Sequence, residues 1–205
     1  MAITNGYTTL TQVKQALRIP ADDTVDDSLL ETAIEAASRQ IDGHCERVFY
    51  NQGTATRTFI PTDSFLTEID DLISLDTLKT QSDGGAYDTT WAASDYQLEP
   101  TNQSSAGLAF PYMRIRAVGG KLFPIYEVRN PNSFEASVQV TGTWGFNAIP
   151  AAIEQATIIM AIRQFKRYDA PLGVAGFGEI GSMSITRIDP DIMTLTAPFR
   201  KVRMA

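Results

Sequence analysis

The string Gly176-Phe177-Gly178-Glu179-Ile180-Gly181 is where this sequence comes nearest to a recognised chemical motif. It satisfies G-x-G-x-x-G, in which the glycines let a backbone turn tightly and approach a phosphate. Such a loop holds a dinucleotide when it leaves a strand and opens a helix, whose first amides then face the pyrophosphate. Here the order is reversed. A helical pattern precedes the loop, and residues 182–188, with Met183 and Ile185 on one face, alternate like a strand. A kinase-type phosphate loop needs a Val-Ala-Ile-Lys-like strand and a catalytic loop downstream, and neither follows. Gly173, Gly176, Phe177, Gly178 and Gly181 therefore read as a flexible contact loop, with a nucleotide-binding enzyme as the remote alternative.

The other reactive residue types are sparse. His44 and Cys45 are the single histidine and single cysteine, so neither an internal disulfide nor a Cys/His zinc site can be assembled within the chain. Being adjacent, they would point about 100° apart on a helix and cannot readily act as a nucleophile and its base. They read as a packed thiol and a helix-end histidine. Asp22-Asp23 and Asp70-Asp71 could offer carboxylates to a cation, but without partners at defined spacing they read as solvated turns. Arg163, Lys166, Arg167, Arg200, Lys201 and Arg203 are too few to imply sequence-specific DNA binding. The expectation is no catalytic residue, no metal and no cofactor.

Composition supports a folded protein whose work is contact. Of 205 residues, 43% are hydrophobic and 20% charged, which is ordinary for a globular chain. No apolar run approaches membrane-spanning length, and the first ten residues have neither a basic start nor an apolar core, so no targeting signal is expected. The net charge of −7 disfavours tight phosphate binding. It is unevenly spread: residues 1–50 sum to −4, 51–146 to −5 and 147–205 to +2.

The expected fold class is α+β: two N-terminal helices and a long C-terminal helix as a bundle frame, with an inserted antiparallel β domain. The divisions fall at residues 1–53, 54–146 and 147–205. Thr9 and Gln12 have capping-box spacing, and Leu10, Val13, Ala16 and Leu17 share one face of a short helix that Pro20 stops. Asp26 or Ser28 caps a second helix on which Leu30, Ala33, Ile34, Ala37 and Ile41 recur at helical spacing, ending near Phe49. Gly43 suggests a bend or a close approach. Strands are expected over 56–60, 73–80, 96–99, 112–117 and 136–143, with turns at Asp83-Gly84-Gly85 and Gly119-Gly120 and a loop over 100–107. In the last strand Val138, Val140 and Thr143 oppose Gln139 and Thr141.

From Pro150 a third helix runs to Tyr168, apolar around most of its circumference. Ile153, Ile158, Ile159, Met160, Ile162 and Phe165 spread around its axis, more than one face of a monomer needs, so it is either central to the fold or shared with a neighbouring subunit. Ala152, Ala156 and Ala161 would let another helix approach closely. Asp189-Pro190 caps a last short helix, and Phe199-Arg200-Lys201-Val202-Arg203 forms a basic tail with apolar handles.

Two blocks of this sequence resemble the gp6-like head-tail connector (adaptor) proteins of tailed bacteriophages. One comprises Tyr7-Thr8-Thr9-Leu10-Thr11-Gln12-Val13-Lys14-Gln15-Ala16-Leu17, Asp26-Asp27-Ser28-Leu29-Leu30-Glu31, Ala36-Ala37-Ser38-Arg39-Gln40-Ile41-Asp42 and Cys45-Glu46-Arg47-Val48-Phe49. The other comprises Val140-Thr141-Gly142-Thr143-Trp144-Gly145-Phe146, Ile149-Pro150-Ala151-Ala152-Ile153 and Arg167-Tyr168-Asp169-Ala170-Pro171-Leu172-Gly173-Val174. The large β insert departs from the smallest, mainly helical members. The resemblance implies a non-enzymatic virion protein of the neck, made in the host cytoplasm. It implies a ring, usually of twelve copies, docked below the portal, lengthening the DNA channel and presenting a platform to a stopper or tail-completion protein. Contact with passing DNA would be transient and non-specific, and no membrane is involved. The same resemblance suggests subunit contacts through the third helix, a channel or neighbour-ring role for Gly173, Gly176, Phe177, Gly178 and Gly181, and portal docking by Phe199, Arg200, Lys201 and Arg203. Another neck protein of the stopper type is the alternative.

Overall fold

The computed structural model describes residues 3–81, 85–102, 110–125, 136–167 and 189–201. The chain divides into two compact units, Met1–Phe49 with Ile149–Ala205, and Tyr50–Ala148. The first is helical and the second is a sheet, which makes the protein α+β as expected.

In the helical unit, α1 spans Leu10–Leu17. Thr9 caps it through a complete capping box with Gln12, which satisfies amides that have no partner within the helix. Arg18 in the left-handed conformation ends the helix two residues before Pro20. Val13 is buried as its pattern predicts, but Ala16 is exposed and Lys14 takes a buried place instead. The second helix, α2, spans Asp27–Cys45, shorter than expected because Glu46 adopts the left-handed conformation and caps it. Leu30, Ala33, Ile34, Ala37 and Ile41 are all buried, so the helical stripe was read correctly. A Cβ at Gly43 would meet nothing within 4 Å, and α2 runs through it, so close packing does not explain this glycine. Ala151–Lys166 forms α3, and Pro190–Thr196 forms α4, whose N-terminal amide at Asp191 is capped by the Asp189 carboxylate at 2.9 Å. Cluster residues Val13, Leu30, Ala33, Ile34, Ala37 and Ala161 bring α1, α2 and α3 together.

The β unit is a single six-stranded antiparallel sheet. Its strands are β1 Asn51–Phe59, β2 Leu66–Thr80, β3 Thr89–Thr90, β4 Tyr96–Glu99, β5 Tyr112–Ala117 and β6 Val138–Gly145, in the order β1-β6-β2-β5-β4 with β3 paired to β2. Two strands begin earlier than expected, and β3 was missed because two threonines carry no periodicity. Asp70-Asp71 is not a solvated turn: both residues lie within β2, Asp70 paired with Arg57 at 2.8 Å and Asp71 buried. In β6 the inward row is Val138, Val140, Gly142 and Trp144, so Thr143 faces outward beside Thr141. Those threonines bond across to β1, Thr54 to Thr143 at 3.2 Å and Thr56 to Thr141 at 2.8 Å.

Two glycines of β6 have a steric cause. A Cβ on Gly142 would lie 2.3 Å from the Ser74 carbonyl oxygen, where β2 bulges against β6. Gly145 has φ +95°, and a Cβ there would lie 2.1 Å from the Tyr50 carbonyl oxygen. Only glycine fits either place. Trp144 between them is fully buried, donates its ring N–H to the Ala55 carbonyl at 2.8 Å and lies under the Arg57 guanidinium at 4.5 Å. Trp91 stacks on Phe123 and donates to Thr80. Both tryptophans are core residues. Gly119 and Gly120, with φ +64° and +81°, form the expected turn. Asp83 and Gly84, and most of the expected 100–107 loop, lie outside the described residues.

Candidate functional site

Three arrangements in the helical unit position its surfaces. The first is a hub on Tyr7, which α1's capped start holds against α2. The Tyr7 backbone N–H donates to Ser38 Oγ at 3.1 Å, and its hydroxyl donates to Asp42 Oδ1 while accepting from the Phe49 amide at 2.8 Å. Its ring meets Phe49 edge-on at 5.7 Å, and Phe49 meets Phe199 edge-on at 5.8 Å. Through the ring of Phe49 the Tyr7 hub thus reaches Phe199. Burial, with the neighbouring Asp42 carboxylate, holds the Tyr7 hydroxyl far above its ordinary value, so it stays protonated. Burial also raises Asp42, against the Tyr7 hydrogen bond and Arg39, whose Nε lies 3.2 Å away.

The second arrangement is Lys14, whose side chain is 6% exposed. Its ammonium donates to the carbonyls of Ala21 at 3.3 Å and Asp23 at 2.5 Å and to the Asp27 carboxylate at 2.8 Å. A buried ammonium needs such a full set of acceptors, and here they fix the turn between α1 and α2. Sequence periodicity could not reveal this, because a lysine at that position reads as solvent-facing. The acidic run 22–27, four aspartates within reach of one cation, was the available signal.

The third is a cleft of about 220 Å³ where the C-terminal parts of α2 and α3 meet the start of α4. Ile41, Met160 and Ile192 supply its apolar lining, and His44, Arg163, Arg167 and Asp189 its titratable and charged lining. Arg163 also pairs with Asp189 at 3.7 Å. The Gln164 side-chain nitrogen is buried beside the cleft and has no hydrogen-bond partner among the described residues.

The expected contact residues of α3 separate into two groups. Ile153 is fully buried within a single chain, so a neighbour could not reach it without opening the helical unit. Ile158, Met160, Ile162 and Phe165 are half-buried and flank the core cluster, and Ile159 is half-buried as well. Of the tail, Phe199 is 1% exposed and packed edge-on against Phe49. Arg200 is exposed, and the Lys201 amide donates to the Cys45 carbonyl at 2.9 Å. Arg203, Gly173, Gly176, Phe177, Gly178 and Gly181 lie outside the described residues, as does the expected 182–188 strand and the end of the third helix at Tyr168. Cys45 is buried, and that burial pushes its thiol up to about 11, which leaves it unreactive near neutrality. His44 is its neighbour in sequence and lines the cleft. Among the described residues no group of three or more His, Cys, Asp or Glu side chains could hold a metal ion, and no helix is long and apolar enough to cross a membrane.

Residues 7–83 match the family described as phage gp6-like head-tail connector protein. The first of the two sequence blocks lies inside that span, and the second lies outside it. No curated protein sequence matches the chain. The fold is similar to a chain from the neck of an empty gene transfer agent (GTA) particle computed with C6 symmetry, at a TM-score of 0.56 and 19% identity, covering 100% of this chain and 95% of that one. It is equally similar to a chain from the neck of a native GTA particle computed with C12 symmetry, at 0.56 and 17% identity, covering 100% and 94%. A chain from the virion of the native particle gives 0.56 and 20%, covering 100% and 95%. Residues 7–83 are thus similar to the phage gp6-like head-tail connector family, and the fold is similar to that of these neck chains.

Proposed function

We propose that the chain is a structural subunit of a virion neck, a head-tail connector that assembles with copies of itself into a ring below the portal. The family match over residues 7–83 is the observation that carries this reading. The neck chains of similar fold, from particles computed with C6 and C12 symmetry, support an oligomeric ring, for which twelve copies is the number proposed. In this reading the helical segments 1–49 and 149–205 are the frame, and 50–148 is an inserted sheet that offers a platform to a stopper or tail-completion protein. The protein is not an enzyme: its work is to extend the DNA channel and transmit attachment.

The physical chemistry fits. A net charge of −7 lets DNA slide past and does not grip it. Ile158, Ile159, Met160, Ile162 and Phe165 leave apolar surface partly uncovered on α3, as a subunit contact requires. Arg200 and Lys201 would meet the portal, and the Gly173 to Gly181 region the channel or an adjoining ring. Electron microscopy of the chain mixed with its cognate portal tests this, with a coaxial ring under the portal expected. Density elsewhere in the particle, or no binding to the portal, would point to another neck protein instead.

A further inference from the structure

The helical unit carries a protrusion at one end of α2 and a cleft at the other. The protrusion is the turn Ala21-Asp22-Asp23-Thr24-Val25-Asp26, exposed throughout, with Val25 at 86%. An apolar side chain so exposed, with Asp22, Asp23 and Asp26 around it, is a knob with an acidic collar. Lys14 holds the turn from beneath through Ala21, Asp23 and Asp27, and Asp23 Oδ1 accepts from the Val25 amide at 3.3 Å. The knob is therefore shaped before it meets anything, which lowers the ordering cost of docking.

The cleft is its complement: Met160, with the more deeply buried Ile41 and Ile192, gives it an apolar lining, and Arg163 and Arg167 line it with Asp189, which pairs with Arg163 at 3.7 Å, so Arg167 is the cation that faces an acidic collar. The buried Gln164 nitrogen beside it offers a donor to an incoming acceptor. The turn adjoins the first residue of α2, and the cleft involves Ile41 and His44 near its last. Ile41 and His44 lie 14 and 17 residues beyond Asp27 on α2, so about 1.5 Å per residue puts the two roughly 21–26 Å apart. Knob and cleft cannot meet within one chain. Between copies they make a head-to-tail contact, the kind that propagates around a ring.

We infer that the 21–26 turn of one copy seats in the cleft of the next, with Val25 against the apolar lining beside Met160 and Asp22 and Asp26 facing Arg167. This rests on the ring proposed above and names the contact that builds it. Cysteines at Val25→Cys and Gln40→Cys, placed in one chain, should yield a ladder of covalent multimers on oxidation of assembled rings, while either variant alone should not. Asp22→Lys with Asp26→Lys, or Arg167→Asp, should raise the protein concentration for half-assembly at least about tenfold, and combining the two sets should recover much of that loss. Circular dichroism shows whether each variant folds, and recovery in the combined chain cannot arise from misfolding. Rings that form without the cross-link, and that ignore the charge reversals, overturn this contact and leave the ring standing. A chain that stays monomeric with and without a portal overturns the ring and the contact together.

Discussion

Tyr7→Phe removes one oxygen from the hub that joins the start of the chain to α2 and to Phe49. The hydroxyl donates to a carboxylate and accepts from the Phe49 amide at 2.8 Å. A hydrogen bond to a charged group contributes about 1.5–3 kcal/mol and a neutral one about 1 kcal/mol. Asp42 is only half-buried, so water can replace part of the first, and the expected loss is about 2 kcal/mol. The ring itself stays, with its edge-on contact to Phe49 and the Arg39 guanidinium 5.5 Å from its centre, so packing is preserved. All the described α-helices lie in the helical unit and both tryptophans in the β unit. Urea titration followed at 222 nm therefore reads the first, and tryptophan emission the second. The helical transition should move to lower urea, or its midpoint temperature should fall by roughly 8–10 °C. Asp42→Asn separates the partners, and the double variant should show a coupling of at least about 1 kcal/mol. The pH sign is also fixed. The folded-state pKa of Asp42 is raised by burial above its ordinary 3.8. Its contribution is present below the unfolded value and is lost as pH rises, so wild type should gain on Asp42→Asn as pH falls from 6 to 3. A helical transition unmoved by Tyr7→Phe within about 0.5 kcal/mol would refute the account of the hub.

Three further outcomes are expected. Cys45 should resist alkylation at pH 8 in the folded chain and react freely in urea; because its thiol is raised from 9.0 to about 11, stability should fall as pH rises through that interval, measured by thermal melts. Gly142→Ala, which drives a Cβ to 2.3 Å from the Ser74 oxygen, should cost the sheet about 3 kcal/mol or more by tryptophan emission, whereas Gly43→Ala, with open space around it, should stabilise α2 by about 0.5–1 kcal/mol. Ile159→Asp should leave the helical melt within about 1 kcal/mol while reducing assembly, and Ile153→Asp should unfold the unit, since only Ile153 is fully enclosed.

Much of the helical frame was legible because its rules are local. The Thr9/Gln12 box, the Leu30 to Ile41 stripe and the Asp189-Pro190 start each depend on residues within a few turns, and each appears in the structure. The sheet was less so. Asp70-Asp71 looked like a turn because the Arg57 partner and the long β2 strand that houses the pair are set by pairing across the sheet. Gly142 replaced Thr143 on the inner face for the same kind of reason: the approach of β2 decides it, and nothing in β6 announces that. For the surfaces, apolarity on α3 was readable, but whether a given isoleucine is enclosed depends on α1, α2 and α4. Phe199 looked like a handle beside basic residues, and only the ring of Phe49 explains its burial. The knob and the cleft escaped altogether, because Lys14 reaches the 21–27 turn, and Ile41, Met160 and Ile192 come together, only once the helices have packed.

The helical unit is interrupted in sequence by the whole sheet, and this sets an order of events on the ribosome. Residues 1–49 emerge first and can form the α1–α2 hairpin, closed early by the short-range Lys14 contacts. The apolar stripe of α2, from Leu30 to Ile41, then has no α3 to cover it until residues 50–148 have been made. At about 5–20 residues per second that wait is roughly 5–20 s. During it the sheet, contiguous in sequence, can complete its own core. The nascent chain thus holds a sticky, half-finished bundle longest at the stage when it most needs shielding, and chaperone binding during synthesis should concentrate there.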